Sequence, residues 1–320
     1  MIAPACKHNQ VKRNGHDRNG NQRFQCVLCG QTWIEDKPKP LGDMRIDRYK
    51  AVLCLRLLLE GNSIRSVERI TRVNQNTIMS LLETIGRRAK RYWATKMQNL
   101  PAADVECDEV WAFIGCKEKT RQRKGYDERF GDAYTFTAIE RNSKLLLAWH
   151  VGRRTPTETG IFAQRLRQAI DGRCQLSTDG YGPYATAVPY AFGGQVDFAQ
   201  LIKIYGGPVK DGSNTRYSPA EIMSVRLHSV CGYPDASLVC TSHVERHNLS
   251  IRMEVRRFTR LTNAHSKKRE NHEYHLAIYF LYYNFCRIHG TIKTTPAVKA
   301  GITDHPWALD ELLDELAIQD

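Results

Sequence analysis

The chain has 320 residues, of which 42% are hydrophobic, 9% aromatic and 25% charged, and it carries a formal net charge of +13 at pH 7. That length holds one sizeable core plus one or two small modules, and no apolar run approaches the roughly 18 residues that would suggest a membrane-spanning helix. The start, Met1-Ile2-Ala3-Pro4, lacks a basic and apolar leader, and Cys54, Cys107, Cys174 and Cys286 sit in apolar runs as buried free thiols do, so a reducing, cytoplasmic compartment is expected.

The positive charge is uneven. Residues 1–100 contain 19 Lys and Arg against 8 Asp and Glu, and residues 241–293 contain ten against four, whereas residues 302–320 contain six acids and no Lys or Arg. Two basic stretches suggest a polyanionic partner, with nucleic acid ahead of anionic lipid.

Residues 1–36 are poor in aliphatics, too poor to build a core unaided. Cys6 and the pair Cys26-x-x-Cys29 have the spacing of a structural zinc ribbon, in which tetrahedral coordination replaces the missing burial. The turn signals Asn14-Gly15 and Asn19-Gly20 precede an extended run at 22–25, as a ribbon hairpin requires. Ala3 stands where a first-pair cysteine would, so His8, or else His16, completes the set. Zn²⁺ on Cys6, His8, Cys26 and Cys29 is the expectation, and an unmetallated basic arm the alternative.

Lys37-Pro38-Lys39-Pro40 reads as a stiff linker. A domain at 45–96 follows: a helix over 48–60 stopped by Gly61, a second capped by Ser63 and running through 70, and a third capped by Asn74 and running to about Gly86. Ile64, Val67, Ile70, Val73, Ile78 and Leu81 are expected to face inward, with the spacing of a helix-turn-helix. In that geometry Gln75, Asn76 and Thr77 face a major groove, while Arg65, Arg69, Arg72, Arg87 and Arg88 hold phosphates.

The periodicity changes near 103. Strands are expected at 105–115, 133–139 and 144–151, a helix at 157–170, a short strand at 174–177 and a fifth strand at 195–204. That order is the α/β order of a ribonuclease-H-like domain, here spanning 103–290. Residues 206–240, rich in Gly, Ser and Pro, read as an insertion. A C-terminal acidic tail at 291–320 contains an amphipathic helix at 307–316 that can dock on a basic surface.

Three short acidic motifs carry the chemistry: Asp108-Glu109-Val110-Trp111, Ser177-Thr178-Asp179-Gly180-Tyr181 and His243-Val244-Glu245-Arg246-His247-Asn248. Asp108 and Asp179 are expected at neighbouring strands, with Glu245 closing the site from a helix. Hard divalent cations need such oxygen ligands, and two of them, roughly 4 Å apart, can serve an in-line displacement at phosphorus. At about 100° per residue, Arg252 and Arg256 fall within roughly 20° of Glu245 and Arg260 within roughly 60°, which sets DNA-binding guanidinium groups for the strand backbone beside the metal carboxylate, while Val244, Ile251, Val255 and Phe258 share another face. Asp104 and Glu106 share Asp108's strand face, and Glu109 is expected to point away. His243 and His247 are expected at the surface or on DNA, and Tyr181 and Tyr184 either stack on a base or pack.

These motifs, together with Gly61-Asn62-Ser63-Ile64-Arg65-Ser66, Gly131-Asp132-Ala133-Tyr134-Thr135-Phe136 and Tyr282-Tyr283-Asn284-Phe285-Cys286-Arg287-Ile288-His289, resemble bacterial insertion-sequence transposases of the DDE type, in particular the insertion-element-one family. The resemblance covers nearly the whole chain. It implies a catalytic and metal-binding triad of Asp108, Asp179 and Glu245 that uses Mg²⁺, or Mn²⁺ in its place. It implies double-stranded DNA as partner, both terminal inverted repeats and target DNA, exposure of 3′-hydroxyls at the element ends and their transfer to target. It further implies at least a dimer on DNA and a nucleoid-associated location. Ala3 departs from the family's ribbon. A DNA-binding regulator and a nuclease without strand transfer are the competing readings.

Overall fold

A computed structural model describes residues 2–18, 20–34, 39–206, 222–259 and 262–318. The chain divides into two compact units, Met1–Pro40 and Leu41–Asp320.

The first unit is a three-stranded antiparallel sheet of β1 (Val11–His16), β2 (Gln22–Cys26) and β3 (Thr32–Ile34). Its buried apolar side chains among the described residues are Ala3, Phe24 and Cys26, which is very little for a folded module. Asn14-Gly15 does not form the hairpin turn. Both residues lie inside β1, where the pairing register slips between Arg13 and His16 and Gly15 has φ 65°, as a glycine-assisted bulge requires. The turn comes later, closed by Asp17 N–H donating to the Asn21 carbonyl at 2.9 Å. Asn19, and Lys37 and Pro38 of the linker, lie outside the described residues.

The second unit opens with α1 (Arg48–Leu59), α2 (Ile64–Thr71) and α3 (Gln75–Lys96), capped by the side chains of Asp47, Ser63 and Asn74. Ile70 is exposed, because Ile64, Val67 and Thr71 occupy the inward stripe of α2 and Thr71 takes its last position. The third helix runs ten residues past Gly86. Gly86 ends nothing: a Cβ there would overlap Tyr274, so its role is to let α3 approach α8 (Arg269–Leu281) closely.

After the short ladder of β4 (Leu100–Pro101) with β8 (Ile170–Asp171), the main architecture is a mixed six-stranded sheet. Its strands are β5 (Asp104–Ile114), β6 (Gly131–Glu140), β7 (Leu146–Gly152), β9 (Cys174–Asp179), β10 (Val196–Tyr205) and β11 (Ile222–Cys231), in the order β11-β10-β9-β5-β6-β7. β5, β6 and β7 form an antiparallel meander, and β9 and β10 run parallel to β5. Between them lie α4 (Glu118–Lys124), α5 (Pro156–Ala169) and α6 (Tyr184–Phe192), followed by α7 (Ser242–Glu254). β11 falls inside the segment read as an insertion; it extends the sheet antiparallel to β10, with mostly exposed side chains. Residues 207–221 of that segment lie outside the described residues.

Strand alternation assigns the layers. Phe136 is paired with Glu109 in the ladder and meets Phe162 of α5, whereas Thr137, paired with Asp108, bonds Asn248 of α7. So α5 and α6 cover one face of the sheet and α7 the other. A π-turn over Tyr282–Cys286 continues α8 and places Asn284 on the edge of β7, where it bonds both the N–H and the carbonyl of Leu146. The short α9 (Pro296–Lys299) leads to α10 (Leu309–Ala317), which buries Leu309, Leu312, Leu313 and Leu316 and pairs Asp310 and Asp314 with Arg48 of α1. Trp307 stacks on Phe285 at 4.4 Å. No described helix is long and apolar enough to cross a membrane.

Candidate active site

Asp108 and Asp179 meet where two parallel strands part. β5 and β9 pair from Asp104/Gln175 to Cys107/Thr178, and one step further along the register stand Asp108 and Asp179. β9 stops there. Asp179 Oδ1 accepts from the Tyr181 N–H at 3.0 Å, and Gln200 of β10 donates to the carbonyls of Asp179 and Tyr181 at 2.9 and 3.1 Å, which fixes the exit of the strand. The fork opens into a cleft of about 560 Å³ lined by Asp108, Asp179, Glu245, Arg154, Tyr181 and Lys203, among others.

Glu109 belongs to this site. Alternation sends it to the α6 face, but with β9 ended its carboxylate still reaches Asp179, and ligand oxygens of Asp108, Glu109 and Asp179 lie within 4.8 Å of one another. Glu245 lines the same cleft from α7, yet its carboxylate is engaged by Lys203 of β10 and by the Thr241 hydroxyl at 2.8 Å.

Three basic or polar groups hold the acids. Arg154 donates from Nε to Glu109 at 3.1 Å, places Nη2 3.6 Å from Asp179, and lies over the Tyr181 ring at 4.0 Å. Asn248 donates to Asp108 Oδ2 at 2.8 Å while its own oxygen accepts from Thr137. The Glu109 N–H donates to Asp108 Oδ1 at 2.8 Å. Burial, reinforced by the charges of Asp179 and Glu245, raises the Asp108 carboxyl to about 6 against the opposing bonds from Glu109 N–H and Asn248. Burial likewise pushes Glu109 up to about 7, opposed by the Tyr184 hydroxyl and Arg154. Three crowded carboxylates on a half-closed floor are a site that gains from a hard cation.

The other acids of β5 do structural work. Asp104 pairs with Arg141 at 2.9 Å. Glu106, fully buried, accepts from the backbone N–H of His243 and Val244 at 2.8 and 3.1 Å and from the His243 ring at 2.6 Å, so it caps α7 from the sheet. His247 is buried against Tyr283 and Phe280, away from solvent, and its burial drives its pKa down to about 3. Tyr184 is fully buried and packs on Phe162.

The basic residues expected on one helix separate. α7 ends at Glu254, and Val255 has φ −99° and ψ 100° as it turns inward to complete burial. Arg252 is on α7, Arg256 begins a short 3-10 turn, and Arg260 lies outside the described residues. Arg65, Arg69, Arg72, Gln75 and Asn76 are exposed, the three arginines without an acidic partner among the described residues, and Thr77 is half-buried, whereas Arg88 is buried and Arg87 pairs with Glu83 at 2.6 Å, so neither is presented as expected.

In the first unit Cys6, His8, Cys26 and Cys29 bring four ligand atoms within 4.8 Å of one another. His8 Nδ1 lies 3.4 Å from Cys26 Sγ. Burial acts to raise the Cys26 thiol, but the backbone amides of Cys29 and Leu28 together with His8 bring it down to about 6. Cys29 is raised despite the Gln31 amide, because the Cys6 and Cys26 sulfurs stand beside it. The set has the ligand number and softness of a structural zinc site.

No protein-family model matches the sequence, and no curated protein is similar to it. One solved structure that the chain resembles is the cryo-EM structure of a piggyBac transposase synaptic complex with hairpin DNA, at 10% identity over 88% of this chain and 72% of that one, with a TM-score of 0.38. A likeness of that degree carries no argument about fold or activity.

Sequence reasoning turned Glu109 away from the site and passed over Arg154 and Lys203 of the cleft and Asn248 beside Asp108. Only Asn248 carried a signal, three residues after Glu245 on one helix face.

Proposed function

We propose that this chain is a metal-dependent DNA transposase of the DDE type, cutting the ends of an insertion element and joining them to target DNA. The observation that carries the reading is the fork between β5 and β9, where Asp108 and Asp179 share a cleft with Glu245 from a helix on the opposite side. The strand order, with β5 central, β9 beside it and helices on both faces, supports a ribonuclease-H-like reading of residues 103–290. The helices at 45–96 support a helix-turn-helix reading, with Gln75, Asn76 and Thr77 toward bases and Arg65, Arg69 and Arg72 toward phosphates. The four donors at Cys6, His8, Cys26 and Cys29 support a zinc ribbon.

Asp108, Asp179 and Glu245 would hold Mg²⁺ or Mn²⁺, with Glu109 in reach; such ions supply stabilisation of the attacking and leaving oxygens at phosphorus. Asn248 fixes the orientation of the Asp108 carboxylate. Arg154 opposes the burial that raises Glu109 and lies against Asp179. Lys203 and Arg154 put positive charge on the cleft walls, where a phosphodiester backbone needs it. Pairing two element ends calls for at least two protomers on DNA.

The test is cleavage of duplexes taken from both flanks of the DNA segment that encodes the chain. Nicks that expose 3′-hydroxyls with Mg²⁺, and none with the metal omitted, are expected. Metal-independent cleavage, or none on any flank, removes the reading.

A further inference from the structure

A second cavity, of about 680 Å³, lies within the larger unit between the helices at 48–96 and the chain that follows α7. Its walls carry Arg65, Arg256, Arg257 and Lys267 together with Asn62 and Asn271, and no Asp or Glu among the described residues lines it. Arg257 is the unusual member. Its Nε donates to His275 Nδ1 and its Nη1 to Ser266 Oγ, each at 3.2 Å, and it has no acidic partner among the described residues. His275 and Ser266 are buried and neutral acceptors, so they orient the guanidinium without cancelling its charge. Ser266 in turn bonds buried His272 at 2.8 Å, which leaves the support rigid. Arg65 and Arg256 add two further cations with no ion pair among the described residues, and Lys267 donates only to His265. Ser63, Ile64 and Arg65 also line the cavity, so the positive end of α2 contributes to it.

A half-buried guanidinium such as that of Arg257 is costly without an anion, and proteins normally pair it. Here four cations from two parts of the chain converge on one space with nothing of opposite sign among the described residues. We infer that this cavity is a second DNA contact, a pocket that holds a backbone phosphodiester between Arg65 of the helical region and Arg256 and Arg257 beyond α7. It rests on the proposed DNA-joining function. A bridge of this kind couples DNA held by the N-terminal helices to the helix that carries Glu245, because Arg256 and Arg257 follow α7 directly.

The test is fluorescence anisotropy of a labelled duplex with the full-length protein, without added Mg²⁺, across a salt series. R65Q and R256Q alter partly exposed side chains and are expected to fold. Each should weaken binding about 5–10-fold and flatten the log affinity against log salt slope by about one, as loss of one phosphate contact does. R257K should keep most of the affinity and R257Q lose at least as much as R256Q, with a thermal melt confirming that both fold. If R65Q and R256Q change neither affinity nor slope while wild type binds, the pocket is not a DNA contact. If inorganic phosphate at matched ionic strength stabilises wild type but not R256Q, and duplex binding is unaffected, the pocket serves free phosphate and the inference is overturned. If wild type binds no duplex at all, the proposed function falls with it.

Discussion

Glu106 and His243 join the central strand to the helix that carries Glu245. The Glu106 carboxylate accepts the His243 ring and the first backbone amides of α7, a cap supplied from β5 because Thr241 makes no side-chain cap bond. The helix start is therefore fixed relative to Asp108, two residues along the strand. Glu106→Gln places an amide NH₂ against those donors and should cost about 1–3 kcal/mol in urea unfolding. It should also lower strand transfer, since Glu245 loses its reference point; unchanged stability and activity would show that the cap does not position α7.

Arg154 is the cation of the carboxylate floor. Glu109, with 3% of its side chain exposed, depends on it. Arg154 is itself about one-third exposed, so Arg154→Gln should cost about 1–3 kcal/mol rather than the 3–5 of a fully buried pair. The loss has a pH signature. Glu109 already titrates near 7 in the fold against 4.5 unfolded, and without Arg154 burial raises it further. A carboxyl raised in the fold stabilises below its unfolded pKa and loses that stability as pH rises through the folded one. The variant should therefore differ less from wild type at pH 5 than at pH 8, measured by urea midpoints; a pH-independent loss would contradict this.

How much of this was legible in the sequence depends on what each residue needed. That Asp108, Asp179 and Glu245 share one cleft could be read from the motifs and the order of elements, and the helix caps at Ser63 and Asn74 because capping is local. Glu109 escaped because alternation assumes a continuous sheet, whereas β9 ends at Asp179 and opens a gap. The break after Glu254 has no Gly or Pro to mark it; Val255 turns into the core and takes Arg256 off the helix. Gly86 looked like a terminus because the partner it admits, Tyr274, is nearly 190 residues away. β11 was hidden by its polar, loop-like surroundings and exposed faces, and Arg154 had no periodic context at all.

Residues 1–40 should contain one zinc per chain. With Ala3, Phe24 and Cys26 as the buried apolar side chains among the described residues, coordination has to supply most of the stability. Metal analysis of the full chain should give one equivalent, lost in Cys26→Ser and on chelation with collapse of amide dispersion for β1 to β3. A metal-free protein with an intact small sheet would contradict the assignment.

Buried histidines set the acid limit of the larger unit. His247 and His272 are held near 3 by burial, the latter with the Arg257 charge adding to it, against 6.5 when unfolded. The unfolded chain thus binds more protons between those values, so stability is full above about 6.5 and falls as pH drops, by up to about 1.4 kcal/mol per pH unit for each histidine. Urea midpoints from pH 8 to pH 4 should fall steeply below 6.5, and His247→Phe should flatten the slope by one proton. A slope unaltered in that variant would place the acid sensitivity elsewhere.

The central claim is that Asp108, Asp179 and Glu245 form one site for phosphoryl transfer on DNA. Its most direct test scores joined products, with Mg²⁺, flank-derived duplexes and a plasmid target, for wild type, Asp108→Asn, Asp179→Asn and Glu245→Gln. The account predicts joining by wild type and a loss of at least about 10³-fold in each variant, with duplex binding retained, because every ligand acts on the same transition state. Joining that survives in Asp108→Asn, Asp179→Asn or Glu245→Gln would contradict it.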